Sequence, residues 1–432
     1  MKRANNRRKA QKRALRAWGC FFVIPWILFC LGGSVVEGAG ACRLGVDLFF
    51  HEEGVKQVQG KRVALVTNHT GVDSNLVSTA QLLQDYAKEY TIAAFFSPEH
   101  GWTGDRYASE ACLDRMEQGS IPIYSLHGKT RRPTKDMLKG IDVILYDIQS
   151  IGVRSYTYEA TLFYVMEAAA QEKIEVIVLD RPNPINGLIV DGPLLEEKWR
   201  SMIGYINVPY CHGMTIGELA SFFNEEYHIQ CALTVIPMKG WKRSMSFVDT
   251  QLPWIPTSPQ IPEATTPLFY ASTGILGELG INIGVGYTLP FKVVGAPWID
   301  ADVFAKTLNK QQLPGVRFLP FHYRPFYGSL AKRECHGVLI QMTDSKVYRP
   351  MAVQYLLLGI LKSLYPAQVS KQLGAITEAQ KKLFCRANGT EEIYRLLVSE
   401  RFPAWKMVSF QQKKRDAFKE KRKKYLIKAY AP

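Results

Sequence analysis

From residue 61 onward the chain alternates two patterns. Short runs rich in β-branched residues, RVALVT (62–67), TIAAFF (91–96), IPIYSL (121–126), DVILYDI (142–148), EVIVLD (175–180) and LTVIPM (233–238), stand between stretches of helical periodicity at 74–90, 134–140, 159–173 and 215–226. Runs that are apolar throughout, rather than at every second position, predict strands buried on both faces, as in a parallel sheet covered by helices. Strands alternating with helices predict βαβ units. The expected class is therefore α/β, a Rossmann-like doubly wound parallel sheet.

The segment LPWIPTSPQIPEATTP (252–267) then places five prolines in sixteen residues. Neither a helix nor a central strand accommodates that density, so it reads as an ordered linker or a groove-lining loop. Past it, a helix at 300–312, strands near 315–319 and 336–342, and a helix at 351–366 predict a second, smaller α+β domain. The expected division is 42–250 for the Rossmann-like catalytic domain and 251–432 for the smaller one. The latter ends in a basic helix with Phe418, Tyr425 and Leu426 as apolar anchors.

Charge changes the picture only at the ends. The net charge is +15, but residues 1–16 hold eight Lys/Arg and no acid, and 413–428 hold nine against Asp416 and Glu420. Those two blocks account for all fifteen charges, so the body between them is formally neutral. A neutral body argues against a broad phosphate-binding face, and no nucleic-acid partner is expected. The first basic block precedes AWGCFFVIPWILFCLGGSVV (17–36), the n-region and h-region of an export signal. Residues 1–41 thus read as a signal peptide, with a retained membrane anchor as the alternative because the h-region is long. Ala39-Gly40-Ala41 resembles a cleavage site. Cys42 after it admits lipoprotein processing, though the preceding residues fit a lipobox poorly. The expected location is exported, periplasmic or extracytoplasmic. Of the eight cysteines none forms a C-x-x-C pair, which argues against a cysteine zinc site. Cys211 and Cys231 are open to two readings, a disulfide or buried thiols.

In a doubly wound sheet, ligands bind outside the carboxyl ends of the strands. Polar clusters converge on that edge: Asn68-His69-Thr70-Gly71, then Ser97-Pro98-Glu99-His100-Gly101, then Asp147 and Gln149 with Arg154, then Asp180, Arg181, Asn183 and Asn186. Each has a structural reading as well. Asn68 and Gly71 suit a turn, and Asp147 and Asp180 suit caps or ion pairs. Glu99 follows its strand directly, where partial burial would raise its pKa toward general-acid duty. There is no G-x-G-x-x-G, no P-loop and no G-x-S-x-G, which argues against a dinucleotide site, a P-loop and an α/β-hydrolase nucleophile, and no cofactor is required. His69, Glu99, His100, Asp147, Asp180, Glu196 and His212 include metal-binding types, but no H-x-H or H-E-x-x-H spacing supports a metal.

VTNHTG, FFSPEHG, YSLHGKTRRPT, DIQSIGVRSYTY, LDRPNPINGLIVDGPLL, HGMTIGELA, IPMKGWKRSM and LPWIPTSPQIP follow one another in this order. Together they resemble the exo-β-N-acetylmuramidase (NamZ-like) family over nearly the whole body of the chain. The resemblance implies a Rossmann-like domain with a smaller C-terminal domain. It implies also an exo-acting glycoside hydrolase that removes β-linked N-acetylmuramic acid from the non-reducing end of peptidoglycan fragments. On that chemistry Glu99 is the expected proton donor, tuned by His100 or His69. Asp147 is then a base or nucleophile, unless the substrate's own acetamido group attacks. Asn68, Gln149, Tyr156, Asn183, Asn186 and His212 are the expected ligands for hydroxyls and acetamide. Arg154, Arg181, Lys242 and Arg243 are candidates for the lactyl carboxylate. One departure is GVGYTLPF (284–291), where Val285 stands at a position at which the family frequently has Arg. Two other classes stay open at this level: a metal-dependent hydrolase at the same edge, and a catalytically silent binder of cell-wall fragments.

Overall fold

The computed structural model describes residues 42–108, 110–116, 121–328 and 330–431. The expected signal or anchor, 1–41, lies outside the described residues. No helix among those described is long and apolar enough to cross a membrane.

The main sheet contains β1 (Arg62–Thr67), β2 (Thr91–Ser97), β3 (Arg115–Met116), β4 (Pro122–Ser125), β5 (Val143–Asp147), β6 (Glu175–Leu179) and β7 (Leu233–Ile236). Their spatial order is β3-β4-β2-β1-β5-β6-β7. Six strands run parallel, and β3 pairs antiparallel with β4 at one edge. The uninterrupted apolar runs have a direct cause. Val63, Leu65, Phe95, Leu145 and Ile177 enter the core on one face, while Ala64, Val66, Phe96, Ile144 and Val176 enter the core on the other. With both faces covered, neither parity of residue can be polar.

The smaller sheet is antiparallel, β8 (Val293–Ala296), β9 (Val316–Tyr323) and β10 (Cys335–Met342), in the order β8-β10-β9. Helix Ala301–Asn309 packs on it and helix Pro350–Leu364 packs against that helix, the first capped by Asp300, which accepts from the Val303 amide at 2.9 Å. Strand β8 carries no pattern that predicts it. The helix expected at 74–90 is reduced to Thr79–Asp85. The Asp73 carboxylate accepts from the Asn75 and Val77 amides, and Leu76 sits at φ 68, so the chain turns before the helix begins under the Ser78 cap.

The basic tail forms a helix, Gln412–Arg422, anchored by buried Phe418 and Tyr425 with Leu426 half-buried. Sequence grouping assigns this tail to the second domain, yet it packs against the first. The Phe418 and Tyr425 rings lie 5.9 and 5.1 Å from that of Phe222, and the Tyr430 hydroxyl donates to Asp180 at 2.7 Å. Two of its cations, Arg415 and Arg422, are buried against backbone carbonyls. All six described cysteines, Cys211 and Cys231 included, are buried free thiols, so the disulfide reading is set aside.

Candidate active site

The strand order reverses between β1 and β5, and this is where a ligand crevice is expected. Here that point is closed. The proline-rich segment crosses it, held by His69 Nε2 donating to the Pro256 carbonyl (2.6 Å), Tyr158 Oη donating to the Thr257 carbonyl (2.7 Å) and Tyr156 Oη donating to Thr257 Oγ1 (2.8 Å). The gap left beside Thr70, Gln149 and Arg181 measures about 20 Å³, room for a water molecule and not for a sugar.

An open cleft of about 320 Å³ lies beyond the end of β2 instead. Glu99, His100 and Ser155–Thr157 line one side. Ser258–Ile261, Tyr270, Glu278, Val285 and Phe291 line the other. Glu99 and His100 reach it through a sharp bend in which His100 (φ 68) and Gly101 (φ 78) are both left-handed. A histidine in that region is strained, and such strain concentrates at functional sites. His100 Nδ1 donates to the Arg106 carbonyl at 2.7 Å, which fixes the ring.

Glu99 is 7% exposed. Its Oε2 accepts from Thr157 Oγ1 at 2.6 Å, and Thr157 is the first residue of the sixteen-residue helix Thr157–Glu172. The positive end of that helix therefore faces the carboxyl. His127 Nε2 stands 3.5 Å from Oε1, longer than a good hydrogen bond. Arg131 donates to His127 Nδ1 at 2.7 Å, so Nδ1 is the acceptor and the ring proton sits on Nε2, toward Glu99. Burial holds the His127 imidazole below its usual pKa, against the pull of Glu99.

A second carboxyl, Glu278, lines the same cleft from the 3-10 turn Gly274–Leu279. Burial raises its pKa, and among the described residues no hydrogen bond or ion pair holds it. Tyr270, half-buried on the cleft wall, feels both Glu99 and Glu278.

Of the residues singled out in the sequence, Glu99, His100, Tyr156 and Val285 line the cleft; the others do not. Asp147 is wholly buried, its oxygens clamped by Arg181 Nε and Nη2 and by Thr79 Oγ1. It is placed as an ion-pair partner, not as a base or nucleophile. Asn68 Oδ1 accepts from the Thr70 amide and hydroxyl (2.9 and 2.6 Å), and its Nδ2 donates to Tyr158. Gln149 donates to the carbonyls of Ser150 and Pro182. Arg154 donates to those of Pro193, Val208 and Ala387, and burial lowers its pKa to about 10. Asn183 and Asn186 fold back on their own loop, accepting from the amides of Ile185, Leu188 and Ile189. His212 Nδ1 accepts from the Met214 amide, so its Nε2 donates to Glu159 at 3.0 Å. Arg243 is paired with Glu218, and Lys242 is exposed away from the cleft lining. For Asn68, Gln149, Arg154, Asn183 and Asn186 one cause applies. Loops buried at a sheet edge must satisfy their own backbone polar groups, and the polar side chains at the strand ends are used for that.

Sequence reasoning passed over His127, Thr157, Tyr270 and Glu278. His127 had a signal: it follows β4 in YSLHG as Glu99 follows β2. Glu278 had none, since only the packing of the second domain brings it over the sheet edge. Among the described residues, no three His, Cys, Asp or Glu side chains converge to hold a metal ion.

Comparison with known proteins agrees with this architecture. Residues 63–265 match the N-terminal part, and 268–427 the C-terminal part, of the exo-beta-N-acetylmuramidase NamZ family. The peptidoglycan beta-N-acetylmuramidase NamZ of Bacillus subtilis (strain 168) is 41% identical over 312 residues, 72% of this chain and 75% of that protein. Two crystal structures of DUF1343 family proteins from Bacteroides fragilis NCTC 9343 share the fold. One has a TM-score of 0.83 at 40% identity, covering 90% of this chain and 99% of that one. The other has a TM-score of 0.70 at 27% identity, covering 89% and 98%. With both halves matched and the fold shared nearly end to end, the chain belongs to the exo-beta-N-acetylmuramidase NamZ family.

Proposed function

We propose that this protein is an exo-acting glycoside hydrolase that releases β-linked N-acetylmuramic acid from the non-reducing end of peptidoglycan fragments, in cell-wall turnover. The observation that carries the reading is the 41% identity with the Bacillus subtilis peptidoglycan beta-N-acetylmuramidase. Glycoside cleavage passes through an oxocarbenium-like state and needs a proton at the leaving oxygen. Glu99 supplies it. Thr157 orients the carboxyl, and the His127 Nε2–H with the helix N-terminus steadies the carboxylate left when the proton departs. Glu278 takes the role first considered for Asp147. Its raised pKa makes it the stronger base once ionised, suited to an attacking water or to the acetamido N–H of the substrate. His100 and the Tyr156 and Tyr270 rings border the sugar.

Export through residues 1–41 brings the enzyme to its substrate. Acylation at Cys42 is disfavoured, because that side chain is packed in the folded core, which leaves no room for an acyl chain reaching a membrane.

The test is turnover of a muramic acid–glucosamine disaccharide and of a nitrophenyl β-N-acetylmuramide. Wild type should cleave both. Glu99→Gln should lose roughly 10²–10⁴-fold on the disaccharide and less on the nitrophenyl glycoside, whose leaving group needs no proton. A variant with near-normal disaccharide turnover removes Glu99 from the mechanism. Folded wild type that binds fragments without cleaving either substrate overturns the enzyme reading.

A further inference from the structure

The cleft volume of about 320 Å³ stands at the low end for ligand pockets, so one muramic acid residue with its acetamido and lactyl groups fills it. In an exo-acting reaction the sugar that leaves then lies outside, on the rim. That rim carries an exposed aromatic surface.

The loop between β9 and β10 reaches the cleft wall. Its Tyr327 Oη accepts from Gln260 Nε2 at 2.6 Å, and its Phe326 amide donates to the Gly286 carbonyl at 2.6 Å. Gln260 and Val285 both line the cleft. Phe326 and Tyr327 are nonetheless 65% and 44% exposed. Behind them the Phe326 ring lies 5.8 Å from that of Tyr287, which lies 5.1 Å from that of Tyr323. Two large rings are thus held against the cleft wall with apolar area left in water, an arrangement that marks binding surfaces.

The chemistry of the leaving sugar fits such rings. In a β-linked N-acetylglucosamine the ring substituents are equatorial, so both faces of the sugar present C–H groups. The face of an aromatic ring is negative and attracts them, and both surfaces leave water on contact. Aromatic side chains have few rotatable bonds to immobilise, and Tyr327 is already tied to Gln260.

We propose that Phe326 and Tyr327 form the subsite for the leaving sugar, an N-acetylglucosamine stacked on the aromatic rim beside Gln260. This rests on the muramidase reading above. It adds recognition on both sides of the scissile bond, with the muramic acid inside the cleft and the glucosamine outside it.

The experiment compares kcat/KM for the muramic acid–glucosamine disaccharide and for methyl β-N-acetylmuramide. Each releases an alcohol that needs a proton, but only the disaccharide offers a second sugar face. The ratio of disaccharide to methyl glycoside should fall roughly three- to ten-fold in Phe326→Ala and in Tyr327→Ala. Tyr327→Phe, which keeps the ring, should keep most of the ratio. Phe326→Leu and Tyr327→Leu retain apolar bulk without an aromatic face and should lose it as the alanine variants do, so the test stands if the latter fail to fold. A ratio unchanged in the folded variants overturns the subsite and leaves the muramidase reading standing. A fall in Tyr107→Ala instead, the exposed ring of the cleft lining that follows His100, overturns the assignment to Phe326 and Tyr327. Wild-type dimers that the variants dissolve, with an unchanged ratio, give the rings to a second copy of the chain and overturn it as well. Wild type that cleaves neither substrate overturns both readings.

Discussion

Asp147 and Glu99 are both acids at the carboxyl end of a parallel strand, and Asp147→Asn separates their roles. The substitution removes the charge from a wholly buried carboxylate whose partner, Arg181, is only 4% exposed. Removing one member of a buried pair leaves the other charge uncompensated and costs about 3–5 kcal/mol. Unfolding entropy of about 2.1 cal/mol/K per residue gives, for a unit the size of residues 42–431, roughly 0.8 kcal/mol/K. The expected fall in Tm is therefore about 4–6 °C. The assay is a thermal melt followed by circular dichroism, paired with kcat on the nitrophenyl substrate well below the transition. Activity per folded molecule should stay within about three-fold, because Asp147 does not line the cleft. The double variant Asp147→Asn with Arg181→Met should recover much of the lost stability, since no buried charge is then stranded. An unchanged Tm together with a rate loss of roughly 10²-fold or more would put Asp147 in the chemistry and sink the assignment.

Glu278→Gln should lower kcat/KM on the disaccharide by roughly 10²–10⁴-fold. It should also abolish an acid-side limb of the pH profile lying above the ordinary carboxylate range, as expected for a base whose pKa burial raises; a limb that persists in the variant excludes Glu278 as its source. The Asp180 carboxyl is raised from 3.8 to about 7, by burial first and then by the Glu218 charge. It binds its proton more tightly folded than unfolded, so the stability it contributes is full below about pH 4 and is lost as pH rises through about 7. Melts of wild type and Asp180→Asn between pH 5 and 8 should show wild type losing ground as pH rises. A difference independent of pH, or of opposite slope, refutes this.

The strands and helices were legible because their signals are local. A strand covered on both faces has to be apolar at every position, and β1, β2, β5 and β6 show this directly in the sequence. Thr215 and Asp300 cap the helices that follow them for reasons contained within four residues. The strand-edge acid and the turn at Gly101 behind it were legible for the same reason, since Pro98 and Gly101 shape that bend locally, whereas the left-handed His100 was not.

Which of the convergent polar groups meets a ligand was not local. Asn68, Gln149, Arg154, Arg181, Asn183 and His212 look as functional in the sequence as Glu99 does. Each is consumed by a partner that only the folded chain supplies, such as the Pro182 carbonyl for Gln149 and the Ala387 carbonyl for Arg154. The proline-rich segment decided the rest. By closing the switch point through His69 and Tyr158, it moved the open space to the end of β2, under Tyr270, Glu278 and Val285. Sequence alone determines which segments must be buried, because burial is written in each residue's own side chain. The position and charge of the cleft depend on what remains after buried hydrogen bonds and ion pairs are satisfied across the whole chain, and only the tertiary structure decides that.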